Sequence, residues 1–438
     1  MAYIGRLSIL MLNMFIAMLG IGLIIPIMPA YITEFGATGS TMGLLVAAAG
    51  LTQLLFAPIA GEITDKYGRR KLIIFGIAAF AVSQLIFAFA GSLWQLFASR
   101  LLGGMGAAFL MPSMFAYIAD ITTEEERGKG MGLFSAAMTL GVVIGPGVGG
   151  YLVHYGMSVP FIVSASLACF STVLSFFFLP ETLGREKQLE ARAKTEKREH
   201  LFKQMSRALK SPFAFMLILV FVLNFGIMNF ESVFGLYVDH KHGFKASDIA
   251  FIITAAGLIG VFVQAVGVSY LVRRFGEKRV INVTLIGAAA GLVWCRFAGS
   301  YWAVFAAAIF FLTLTSLLRP AVNTMLSKLA GDQQGFAGGM NTSFISLANI
   351  AGPSAAGFLF DVNMEFPYML GAAILAISFL AALGWGKRHK PGRSRSKDKN
   401  QKPPGIRRLF ADCRLFLAVC ISEIAEMRIE GKSYRTSL

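Results

Sequence analysis

Apolar stretches long enough to cross a bilayer recur along this chain from Leu7 to Gly386, and no other feature limits its fold as tightly. Crossing takes about 20 residues of helix. Hydrocarbon offers a backbone no water to bond, so such stretches must form helices or a closed barrel. The runs fall near residues 7–29, 42–62, 72–90, 94–117, 130–152, 159–180, 212–238, 247–271, 280–298, 301–329, 336–360 and 366–386, which predicts about twelve transmembrane helices. The competing reading is a large soluble helical protein. Its helices would each show a polar face, whereas most of these segments are apolar all round. Charged residues are 15% of the chain, against roughly 25% in soluble domains. The expected fold class is an all-α polytopic membrane protein.

The formal net charge of +16 invites a nucleic-acid reading, but the basic residues do not line one face of a folded module. They cluster in short loops (Lys66, Arg69, Arg70 and Lys71; Arg273, Arg274, Lys278 and Arg279), in the stretch from Arg185 to Lys210, and in the C-terminal tail. Counting crossings puts all of these on one side, with Lys241 and Lys245 the main cations opposite. By the positive-inside rule the basic side and both termini are expected in the cytoplasm. Four cysteines, Cys169, Cys295, Cys413 and Cys420, have neither a disulfide framework nor metal-ligand spacing. The first apolar run is too long for a signal peptide and lacks a small-residue cleavage site.

Residues 181–211 interrupt the series with Lys, Arg and Glu and read as a cytoplasmic linker containing some helix. Six spans lie on each side, so the expected domains are an N-terminal bundle over 1–180 and a C-terminal bundle over 212–388. The halves are related. Gly128, Gly132, Gly145, Pro146 and Gly150 recur as Gly335, Gly339, Gly352, Pro353 and Gly357 at constant offset, and Lys66-Tyr67-Gly68-Arg69-Arg70 recurs weakly as Arg274-Phe275-Gly276-Glu277-Lys278. A duplicated six-helix unit implies two pseudo-symmetric bundles that rock about a midplane site. The tail, 389–438, starts basic and poor in order-promoting residues; its mixed-apolar part, Leu409–Met427, is too short and charged to span and reads as an interfacial helix or a poorly ordered extension.

The fifth span carries the most specific spacing: Gly132, Gly141, Gly145-Pro146 and Gly149-Gly150. Gly141, Gly145 and Gly149 stand one helical turn apart and let a neighbouring backbone approach, while Pro146 removes a helical hydrogen bond. This pattern resembles the antiporter motif of major facilitator drug exporters. The loop Gly61-Glu62-Ile63-Thr64-Asp65-Lys66-Tyr67-Gly68-Arg69-Arg70-Lys71 is similar to that superfamily's signature between helices two and three. Leu19-Gly20-Ile21-Gly22 through Pro26 and Pro29 to Tyr31 in the first span, and Arg100-Leu101-Leu102-Gly103-Gly104 in the fourth, also match. Arg319-Pro320-Ala321 and Gln334-Gly335-Phe336-Ala337-Gly338-Gly339-Met340-Asn341 resemble the NorA/Bmr branch of multidrug exporters. The likeness covers roughly residues 1–388 and implies a bacterial cytoplasmic-membrane antiporter with the major facilitator fold. It also implies a cytoplasmic latch at the Asp65 loop that holds the outward-facing state.

Ionisable residues inside a membrane are costly and therefore candidates for function. Arg100 lies in the fourth span, Glu231 in the seventh and Arg319 in the tenth, while Arg296 sits near a helix end, from which it can snorkel to the interface. Glu231 leads: a carboxyl in apolar surroundings can keep a proton in one state and release it when a cation or water arrives. Asn224, seven residues earlier, shares its helix face. Gln53, Gln264, Asn341 and Asn349 are further polar points that either bind substrate or cross-link helices. Some members of the resembling branch carry an acid where this chain has Ser316, so coupling shared between two acids is not available here in the same form.

The expected activity is export of hydrophobic, often cationic drugs in exchange for protons, by a chain that works as a monomer with no cofactor. The cavity would be lined by Glu231, Arg100, Gln53, Asn224, Asn341 and Arg319, and gated by Gly61, Asp65, Gly68, Arg69 and Arg70 with the fifth helix. The rivals are an exporter of one metabolite, sugar or siderophore, and a transporter-like sensor. An enzyme would need a nucleophile–base pair, metal site or phosphate loop, and nothing in the chain resembles one.

Overall fold

The computed structural model describes residues 2–28, 31, 35–36, 38–193 and 201–388. Pro29, Cys413, Cys420, the rest of the tail from residue 389 with Leu409–Met427, and linker residues 194–200 lie outside them. Every regular element among the described residues is helical: α1 (Ala2–Ile24), α2 (Gly39–Tyr67), α3 (Arg69–Ala88), α4 (Leu93–Ile121), α5 (Glu124–Leu152), α6 (Val159–Phe178), α7 (Arg185–Ala193), α8 (Leu201–Ala208), α9 (Ala214–His242), α10 (Ala246–Phe275), α11 (Glu277–Phe297), α12 (Tyr301–Ala330), α13 (Gln334–Val362) and α14 (Phe366–Arg388). Twelve of these are long and apolar enough to span a membrane, and α7 and α8 are the helical parts of the linker. Trp94 and Trp302, about two-thirds exposed at 68% and 69%, sit at helix starts opposite the basic loops, where an aromatic belt belongs.

Local chemistry sets the helix ends. The first run was expected to stay helical to residue 29, but α1 ends at Ile24, and Ile25 N–H turns back to Gly22 O at 3.3 Å. Pro26 has no N–H to continue the ladder. On the basic side a single glycine joins each hairpin: Gly68 (φ +100°) between α2 and α3, and Gly276 (φ +78°) between α10 and α11. Those angles favour glycine.

The internal repeat is visible as repeated packing. A Cβ on Gly145 of α5 would lie 2.7 Å from Gly22 Cα on α1, and one on Gly352 of α13 would lie 3.0 Å from Phe225 O on α9. One turn on, Gly150 faces Ala250 of α10, whereas Gly357 faces Gly39 and Gly43 of α2. Thus α5 and α13 each back onto the first helix of their own half and cross to the second helix of the other. Residues 1–382 pack as one unit through these crossings.

The crossings close one side only. At Gly43, Gly50, Gly147 and Gly150 an added Cβ would touch the other half, within 3.2 Å at each; at Gly61, Gly132, Gly338 and Gly339, nearer the basic loops, it would meet nothing within 4 Å. On the closed side an apolar plug of Ile24, Ile27, Met28, Met42 and Leu45 packs with Leu236 and Phe360 from the second half. Asp361, at the end of α13, accepts hydrogen bonds from Ser40 N–H (2.9 Å) and from the Ser40 hydroxyl at the start of α2. The crevice between the halves therefore opens toward the basic loops.

Candidate functional site

A cavity of about 310 Å³ lies near mid-membrane between the halves. It is lined by Met18, Ile21, Met28, Gln53, Phe80, Gln84, Ser99, Arg100 and Met111 from the first half and by Met228, Glu231, Ser232 and Asn349 from the second. Its volume falls at the lower end of the range for small-molecule sites, and its few polar groups amid methionine and aliphatic side chains suit an adaptable apolar ligand.

Four of the sequence candidates meet here: Glu231, Arg100, Gln53 and Asn349. The Arg100 guanidinium stacks over the Phe87 ring at 4.7 Å and donates to Met28 Sδ at 3.3 Å, while its buried Nε has no partner. No carboxylate pairs with it among the described residues. Glu231 likewise makes no hydrogen bond or ion pair among them, and its one charged neighbour is Arg319. The cavity thus presents one cationic and one anionic group, each lacking a protein salt bridge.

The others lie elsewhere. Asn224 is buried off the cavity, donating to Val220 O at 2.7 Å and accepting from Arg319 Nη2 at 3.2 Å. Arg319 does not line the cavity; it is accessible yet deep enough to reach Asn224 and to act on Glu231, a combination that an open interior crevice produces. Asn341 is not among the lining residues either, and its buried Oδ1 has no partner among the described residues. Gln264 is exposed. Ser316 bonds back to Leu312 O at 2.8 Å and faces Gly260, where an added Cβ would lie 2.8 Å from its Oγ. Arg296 does more than reach for the interface, since its Nε donates to Glu365 Oε2 at 2.7 Å.

At the basic loop, Asp65 pairs with Arg69 across the Gly68 turn. Arg69 also donates to Thr64 O at 2.9 Å and to Asp120 Oδ2 at 3.3 Å, and Arg70 reaches Phe176 O. The amino end of α3 is capped by Glu181, which accepts from Arg69 N–H at 2.9 Å and Arg70 N–H at 3.2 Å. A Cβ on Gly68 would strike that carboxylate at 2.2 Å, so glycine is required twice over. The linker also reaches this loop: Arg192 of α7 donates to Lys66 O at 2.9 Å and stacks over the Tyr67 ring at 4.8 Å. Asp120 and Glu181 escaped the sequence reading. The available signal was an acid in the last turn of α4, where the helix dipole disfavours it unless a cation is near. The second-half copy keeps the turn with its charges reversed: Glu277 on the loop pairs with Lys328 of α12.

In α5, Gly141, Gly145 and Gly149 press on α1, with added Cβ atoms at 2.6, 2.7 and 2.2 Å from its backbone. Gly150 belongs to the other face, and Gly132 and Gly61 make no close approach. Gly145→Leu is expected to abolish transport while the protein still inserts, and Gly132→Leu to be tolerated; efflux at matched membrane levels distinguishes them. Equal tolerance of both would remove the packing role of the stripe.

A family model described as Major Facilitator Superfamily matches residues 10–268 and 216–425. The chain belongs to that superfamily. It is 41% identical over 378 residues to Multidrug resistance protein 2 of Bacillus subtilis, covering 86% of this chain and 94% of that protein. Multidrug resistance protein 1 of the same organism is 40% identical over 379 residues, with 86% and 96% covered. Quinolone resistance protein NorA of Staphylococcus aureus is 32% identical over 399 residues, covering 90% and 99%. Among solved structures, an inward-facing, occupied bacterial homologue of the human lysosomal transporter Spinster superposes with TM-score 0.73 at 14% identity, covering 88% of this chain and 98% of that one. The human organic anion transporter MFSD10 gives TM-score 0.62 at 19% identity, covering 86% and 98%. At such identities these two speak for the fold, which is the two-bundle major facilitator architecture.

Proposed function

We propose that this protein is a proton-coupled multidrug exporter that moves hydrophobic, often cationic compounds by alternating access. The observation that carries this reading is Glu231, a carboxylate on the wall of a largely apolar cavity, without a hydrogen bond or salt bridge of its own among the described residues. Ionised, it attracts a cationic drug; protonated, it does not, so proton and drug compete for one group. The names of the bacillal and staphylococcal relatives support multidrug substrates. The crevice opens toward the basic loops, and the positive-inside rule puts those loops in the cytoplasm, where the drug is collected.

The test is uptake into sealed inverted vesicles with an imposed pH gradient, screened against lipophilic cations and neutral drugs. Accumulation of several unrelated compounds supports the reading, and transport of a single metabolite overturns it. Sidedness has its own test. Cysteines at His154 and Lys245 should react with impermeant thiol reagents outside intact cells, and a cysteine at Arg185 should react only after lysis. The reverse pattern would invert the orientation and with it the direction of export.

A further inference from the structure

Below the central cavity a second space of about 430 Å³ opens toward the basic loops. The two share Gln53, Ala107 and Met111, so they are consecutive compartments of one path. Their chemistry differs. The central cavity holds Arg100 and Glu231; the outer one is lined by Leu54, Pro112, Phe115, Met340 and small or neutral polar groups, with no charged side chain among the described residues. One of its walls is not a membrane span. Leu201 and Gln204, one turn apart on linker helix α8, complete the lining. The α8 helix is held there by Arg207, whose guanidinium lies 4.4 Å from the centre of the Phe336 ring at the start of α13.

We propose that this outer compartment is a second drug subsite, blind to charge, in which a compound lodges before reaching Glu231 and Arg100, and that Leu201 and Gln204 of the linker help to set its specificity. The occupant is the transported drug itself, because the compartment is continuous with the central cavity and its described lining offers apolar and neutral polar contacts rather than charged ones. A neutral and a cationic drug of similar shape should bind there equally, and discrimination by charge should arise only one compartment further in. The linker that joins the halves then also contributes to recognition. This inference rests on the drug-export reading above and adds the place where uncharged surface is read.

The test is the concentration dependence of drug uptake into inverted vesicles, for one lipophilic cation and one neutral drug, with Leu201→Ala and Gln204→Ala. Ser206→Ala, on an exposed position of the same helix, is the control for linker integrity. Contacts made equally in the bound and moving states affect KM and leave kcat unchanged. Leu201→Ala is therefore expected to raise KM roughly three- to ten-fold for both drugs, as loss of a buried leucine contact does, with kcat and pH dependence kept. Unchanged KM for both drugs, a change confined to the cation, or a fall in kcat alone would each overturn the subsite. If wild-type vesicles accumulate no drug, the export reading has failed; if they do and the α8 variants behave as wild type, only the subsite has.

Discussion

Glu231→Gln is expected to abolish proton-driven efflux at normal membrane levels while leaving the cavity's shape almost unchanged. The amide is a fixed copy of the protonated acid. Exchange requires that proton and drug disfavour each other's binding, a coupling expressed through one set of states, and Gln removes the titration on which that coupling depends. The variant also leaves Arg319, Glu231's one charged neighbour among the described residues, without its opposing charge. Cationic drugs therefore meet Arg100 and Arg319 with no carboxylate to offset them, where the wild type offers Glu231. Removing the carboxylate that would pair with a bound, desolvated cation costs about 2–5 kcal/mol, so binding of a cation should weaken by roughly thirty-fold or more, while a neutral drug of similar shape changes little. The pH dependence of cation binding should flatten, and Glu231→Asp should keep part of the activity with a displaced pH profile. Drug binding to purified protein across pH, wild type beside variant, decides the matter. A Gln variant that still concentrates drug at the expense of a proton gradient would place the coupling group elsewhere.

The spans were legible because hydrocarbon imposes a length and a composition on every crossing, and the twelve helices follow the apolar runs to within a few residues except where Pro26 ends α1 early. The glycine repeat was legible for a related reason: only a missing side chain admits backbones as close as those at Gly145 and Gly352. Arg100, Glu231 and Gln53 could be chosen because polar groups in a span are costly. Asn224 could not be placed. Its seven-residue spacing from Glu231 gives a shared face, but two turns separate them by about 10 Å along the axis, and that was enough to put one in the cavity and the other in the packing. Gly141 and Gly150 likewise belong to one motif and to different interfaces. Long-range polar pairs left no trace at all. Asp361 meets Ser40 across 321 positions, and Glu181 meets Arg69 across 112. A lone acid at a helix end reads as an interfacial charge until the fold brings an unsatisfied helix start beside it.

That helix start gives the second large effect. α2 begins after Thr38, whose side chain supplies no cap. The Asp361 carboxylate supplies it from the other half, accepting from Ser40 N–H and its hydroxyl, with Thr38 and Gly39 as further donors. A helix start carries unsatisfied N–H groups and a partial positive charge, so an anion there satisfies both. The contact is possible because Gly39 and Gly357 let the two backbones meet; an added Cβ on Gly39 would lie 2.8 Å from Asp361 Oδ1. The His240 ring lies edge-on to Phe360, the residue before Asp361, at 5.9 Å, with its Nδ1 bonded to Leu236 O. Among the described residues no salt bridge competes for the carboxylate. Every one of these bonds crosses between halves on the closed side, so all of them must break when that side opens. Hydrogen bonds to a charged group contribute about 1.5–3 kcal/mol, which on a two-state equilibrium is roughly a ten- to hundred-fold change. Asp361→Ala is therefore expected to shift the resting population away from the form closed on the face opposite the basic loops. Distances between spin labels at His154 and Met364 should broaden toward longer values. Asp361→Asn, which keeps an acceptor but loses the charge, should fall between wild type and Asp361→Ala. Because Ser40 acts through the same contact, the effects of Ser40→Ala and Asp361→Ala should fall well short of additive. Unchanged label distances in Asp361→Ala, at normal expression and insertion, would mean that the apolar plug around Met42 and Leu236 keeps this face shut without the carboxylate.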